Sequence, residues 1–104
     1  MARHTAAWKA HETRTAAALG GQRLGTTGAA NPDVLTSWLA VECKDRSRLP
    51  PWIMEALSRI RSQAGQDRLG VVVMHQAGAR DSVVMLSLQD FRDWFGALPA
   101  EVME

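Results

Sequence analysis

A helical segment at residues 51–64 stands between two stretches that read as β-strand, and this order limits the fold more than any other feature of the chain. Pro50-Pro51 opens the segment and Gly65 closes it. Trp52, Ile53, Ala56, Leu57, Ile60 and Ala64 recur at helical spacing along one side. Before it, residues 39–44 (Leu-Ala-Val-Glu-Cys-Lys) alternate as a half-buried strand does. After it, residues 69–74 form a continuous valine-rich apolar run, the pattern of a central strand covered on both faces. A crossover helix between two such strands implies a mixed sheet flanked by helices.

The remaining elements fit around that unit. Residues 5–19 are rich in alanine, free of Gly and Pro, and stopped by Gly20-Gly21, which predicts a first helix. Trp8, Glu12, Thr15 and Leu19 fall on one stripe of it, so Glu12 faces inward. A carboxylate there needs a partner, either a bound cation or a basic side chain such as Lys9 or Arg14. Residues 23–28 begin as a short strand and run into a turn of glycines and threonines (Gly25, Thr26, Thr27, Gly28). Its backbone amides would be free to approach phosphate oxygens, although no Gly-Lys-Ser/Thr follows to make a P-loop. Asn31-Pro32 marks a turn, and residues 33–35 open a strand that pairs with residues 39–44. Residues 76–81 read as a turn and 82–86 as another strand. Ser87, with an acid three positions on at Asp90, reads as the cap of a last helix carrying Phe91, Trp94, Phe95 and Leu98 toward the core. The expected order is αβββαββα, in a single α/β domain of 104 residues with a mixed five-stranded sheet.

Chemistry concentrates in Pro32-Asp33 and Glu42-Cys43-Lys44. A period of two puts Glu42 and Lys44 on one strand face and Val41 and Cys43 on the other. Two carboxylates offer the hard oxygen ligands that Mg²⁺ or Mn²⁺ prefers, and such ions use only one or two of them. An amine two residues further on would hold, polarise or deprotonate an attacking water. Arg46 and Arg48 follow in a polar loop suited to phosphate oxygens. Charge is uneven: residues 1–61 carry nine Lys/Arg against five Asp/Glu, or +4, and residues 62–104 carry three against six, or −3. A basic half around the motif suits a polyanionic substrate. The single cysteine excludes an intrachain disulfide, and no Cys/His cluster has zinc-ligand spacing. No apolar run approaches the roughly 20 residues needed to span a bilayer, and the first residues lack a secretory core, so an intracellular, cytoplasmic protein is expected, in host cytoplasm if phage-encoded.

In this order, Glu12, Arg23, the Gly25–Gly28 turn, Pro32-Asp33 and Glu42-Cys43-Lys44 resemble the active site of the PD-(D/E)xK nuclease superfamily, and within it the small archaeal and phage-type Holliday junction resolvases. The resemblance covers roughly residues 8–75. It implies a restriction-endonuclease-like core in which Asp33, Glu42 and the carbonyl of Cys43 bind Mg²⁺, with Mn²⁺ able to substitute. Lys44 would act on the nucleophilic water, and Glu12 would complete the site through a metal-bound water. Arg23, Thr26, Thr27, Arg46 and Arg48 would contact DNA. It further implies a homodimer cutting four-way or other branched DNA. The turn departs from the family's usual serine by carrying threonines, which leaves its own role open.

Overall fold

The computed structural model describes residues 2–25 and 31–96. Thr26, Thr27 and Leu98 therefore lie outside the described residues. The chain divides into two compact units, the first running up to Ser47 and the second formed by Arg48–Phe95.

In the first unit, helix α1 (Ala2–Leu19) packs on a three-stranded antiparallel sheet of β1 (Gln22–Arg23), β2 (Val34–Leu35) and β3 (Ala40–Val41), in that spatial order. The alanine-rich helix ends in a Schellman motif: the Gly21 N–H donates to the Ala16 carbonyl at 2.8 Å and the Gly20 N–H to the Ala17 carbonyl at 3.4 Å. Gly20 takes the left-handed backbone this requires, with φ of +68°. Gly21 is needed for a different reason. A Cβ there would lie 2.6 Å from the Leu35 carbonyl oxygen and 2.7 Å from the Thr36 methyl, so only a bare backbone lets the helix end meet β2. Val34 is fully buried under the helix beside Ala16 and Leu19. Register sets Val34 opposite Val41 and Leu35 opposite Ala40. The Thr36 hydroxyl closes this hairpin by accepting from the Leu39 N–H at 2.9 Å and the Trp38 N–H at 3.2 Å.

The second unit contains α2 (Pro51–Ala64), the antiparallel pair β4 (Val72–His75) and β5 (Ser82–Met85), and a short α3 (Leu88–Phe91) that continues as a π-helical turn over Arg92–Gly96. Helix α2 has the predicted bounds, and the Gly65 N–H closes it on the Arg61 carbonyl. Ile53, Ala56, Leu57, Ile60 and Ala64 are half-buried as expected, whereas Trp52 is 51% exposed. Ser87 caps α3 through its hydroxyl, which accepts from the Asp90 N–H. Asp90 in turn holds Arg61 of α2 by two bonds, 2.7 Å to Nε and 3.0 Å to Nη2. Phe91 and Phe95 pack with ring centroids 5.3 Å apart, while Trp94 stays exposed rather than entering the core.

The mixed α/β class and the element order agree with expectation, but a mixed five-stranded sheet is not what the described residues form. Every pairing among them joins strands that are consecutive along the chain, and all of them are antiparallel. The valine run is likewise not a strand covered on both faces. Among the described residues β4 pairs with β5 alone, and its burial alternates, leaving Val73 62% exposed. Among the described residues no helix is long and apolar enough to cross a membrane.

Candidate active site

The first unit holds Glu12, Arg23, Asp33, Glu42, Cys43, Lys44 and Arg46, while Arg48 opens the second. Glu12 projects from the buried stripe of α1, where it is 7% exposed. Its partner is neither Lys9 nor Arg14 but Arg23 of β1, whose Nε donates to Glu12 Oε1 at 2.9 Å. The same guanidinium lies over the Trp8 ring, 5.8 Å from its centroid. Arg23 is thus clamped between a carboxylate and an indole.

Asp33 lies where the β2–β3 ladder changes. Its N–H donates to the Val41 carbonyl at 2.8 Å although Val41 already stands opposite Val34, so two residues of one strand face one of the other, the pattern of a β-bulge. The bulge turns the Asp33 carboxylate onto the extension of β3, where Oδ2 accepts from the Cys43 N–H at 2.6 Å. This bond brings the aspartate to within one residue of both Glu42 and Lys44.

Beyond Val41 the alternation persists: Glu42 and Lys44 are exposed, Cys43 half-buried. Lys44 Nζ pairs with Glu42 Oε2 at 3.0 Å on the open side, and Glu42 borders a cleft of about 410 Å³ with Asn31, Pro32, Ala40 and Val41. The Cys43 thiol points the other way. Burial pushes its pKa up, a hydrogen bond with the Thr15 side chain opposes this, and the nearby Asp33 and Glu12 carboxylates raise it further. The charged groups are therefore distributed over three pairings, Glu12 with Arg23, Asp33 with the Cys43 backbone, and Glu42 with Lys44. Glu12 lies on the helix side with the thiol, whereas Glu42 and Lys44 face outward, because a strand cannot send consecutive side chains the same way. No group of three or more His, Cys, Asp or Glu side chains among the described residues is arranged to hold a metal ion.

Arg46 and Arg48 are exposed, and Arg46 Nη1 donates to the carbonyl of its neighbour Asp45. Three participants carry no catalytic signature in the sequence: Trp8 under Arg23, Thr15 at the thiol, and His11, whose Nδ1 is buried without a hydrogen-bond partner. The stripe that identifies Glu12 passes through Trp8 and Thr15 and, one turn before Thr15, His11. That stripe is the signal that finds them.

The chain matches no protein-family model, and no curated protein or solved structure is found similar to it.

Proposed function

We propose that the protein is a Mg²⁺-dependent, structure-selective DNA endonuclease of the PD-(D/E)xK type, acting as a homodimer on four-way junctions or other branched DNA. One observation supports this reading above the others: the Asp33 carboxylate reaches the backbone of Cys43, joining the Pro-Asp turn to the Glu-x-Lys segment. The reading carries with it the five-stranded restriction-endonuclease-like core expected from the element order.

The donor set has the right chemistry for Mg²⁺, two carboxylates and a carbonyl, all hard oxygens. Asp33, Glu42 and the Cys43 carbonyl would hold the ion. When bound, it would supply charge neutralisation at the scissile phosphate and a more acidic nucleophilic water. Lys44, an ammonium with donors only, would orient the water or a phosphate oxygen through Nζ from the face it shares with Glu42. Arg23, fixed by Glu12 and Trp8, would hold a neighbouring phosphate at little entropic cost. Arg46 and Arg48 would extend the contact along the backbone.

The test is cleavage of labelled four-way junction, duplex and single-stranded DNA with and without Mg²⁺. Junction cutting that needs Mg²⁺ and disappears in Lys44→Ala, with junction affinity in Ca²⁺ kept within about tenfold, is the expected result. A dimer should be seen by sedimentation equilibrium. A monomer that cuts duplex equally well would end the resolvase reading and leave a general nuclease.

A second reading, a DNA-binding module without catalysis, is favoured by one specific observation. Glu12, Asp33 and Glu42 each already have a partner within the protein. Binding without cleavage under every metal tried would establish it.

A further inference from the structure

The second unit contains a cleft of about 390 Å³ whose walls include Arg61, Gly65, Arg68, Asp90, Asp93 and Trp94. That volume falls within the range of about 300–1,000 Å³ typical of small-molecule sites. The polar groups in it are of two kinds. Arg61 and Asp90 hold each other by the bidentate pair at 2.7 and 3.0 Å, and Asp93 adds a weaker Coulombic attraction to the same guanidinium. This locks one wall and leaves no net charge from it. Arg68 and Asp93 make no hydrogen bond or ion pair of their own among the described residues, and both are exposed. Trp94, next to Asp93 on the π-helical turn, is 44% exposed and so keeps a ring surface open.

A complementary ligand needs a flat π-face for the indole, N–H donors for a carboxylate that only accepts, and an anion for a free guanidinium. Nucleotides combine all three in a molecule of this size. Among the bases, guanine presents two adjacent N–H donors on its pairing edge, a bidentate match to a carboxylate; adenine and cytosine offer only an amino group there. We propose that this cleft binds a guanine nucleotide, with the base stacked on Trp94, its pairing edge on Asp93 and its phosphate on Arg68. The proposal does not depend on the nuclease reading, since none of its residues belongs to the site of the first unit.

The experiment is isothermal titration in EDTA, which excludes cleavage, with GMP, AMP, inorganic phosphate and a single-guanine tetranucleotide flanked by thymidines. GMP should bind at least tenfold more tightly than AMP. Asp93→Asn should bring GMP down to the level of AMP. Arg68→Ala should weaken both nucleotides about tenfold, and Trp94→Leu should weaken both while circular dichroism stays unchanged. Tighter binding of the tetranucleotide than of GMP would make nucleic acid the source of the base, and the reverse would make it the free nucleotide. Absence of heat with both guanine ligands at millimolar concentration would overturn the proposal, as would AMP or phosphate matching GMP. Affinities indifferent to Asp93→Asn and Arg68→Ala would do the same.

Discussion

Arg23 is fixed by two neighbours of different chemistry, the Glu12 carboxylate and the face of Trp8. Removing it strands a carboxylate that is 7% exposed. Breaking a fully buried pair costs about 3–5 kcal/mol, and the Arg23 side chain is 28% exposed, so Arg23→Ala should cost less, about 2 kcal/mol by urea unfolding. Glu12→Gln, which keeps an acceptor and removes the charge, should cost less than half of that. Cys43 gives a pH prediction. Its proton is held more tightly in the folded chain than in the unfolded one, chiefly because the thiol is buried. Its stabilising contribution is therefore complete below the ordinary thiol pKa, about 8.5, and fades as pH climbs through the raised value. The rate of alkylation by iodoacetamide should accordingly rise at higher pH in the native protein than in urea. Coincident profiles would contradict the environment described for the thiol.

At the scale of elements, the end of α1 separates two ways in which glycine matters. Gly20→Ala meets open space and only a left-handed backbone, a penalty of about 1–2 kcal/mol. Gly21→Ala drives a methyl into the Leu35 carbonyl and must push β2 from the helix, an overpacking loss of up to about 3 kcal/mol. Thermal unfolding should therefore rank Gly21→Ala as the worse substitution although Gly20 has the unusual φ. The bounds of α2 are legible in the sequence because local residues set them: proline admits the start and Gly65 supplies the stop. Strand order is legible for the same reason, but strand partnership is not, because apolar runs such as residues 69–74 read alike whether one neighbour or two will cover them. The partner of Glu12 shows the same limit. Lys9 and Arg14 are nearer in sequence, yet both sit on the exposed side of α1, and Arg23 arrives only when the chain folds back as β1. Asp33 is recognisable from its proline and its distance to Glu-x-Lys, whereas the bulge that aims it depends on a carbonyl across the ladder.

For the whole molecule, the division of charge into +4 and −3 halves sets an expectation for DNA affinity under the proposed function. Each phosphate neutralised by Arg23, Arg46 or Arg48 should contribute about −0.9 to the slope of log K against log salt on duplex arms. Substituting all three with alanine should flatten that slope by about 2.7, while Arg80→Ala and Arg92→Ala, from the acidic half, should leave it within error. A filter-binding series at several salt concentrations would decide; equal effects from both sets would remove the basic half of the sequence from recognition. The β4–β5 ribbon has a practical consequence for anyone concentrating this protein. Val73 and Val84 stand opposite one another with 62% and 56% of their surface open, on strands that among the described residues pair only with each other. Such a ribbon is a template for cross-β growth, and a short β-branched segment without charge is the sequence that feeds it. Storage lifetime should then be limited by fibril formation at high concentration, read by thioflavin fluorescence, and Val73→Lys should lengthen it by placing a charge in the middle of the growing face.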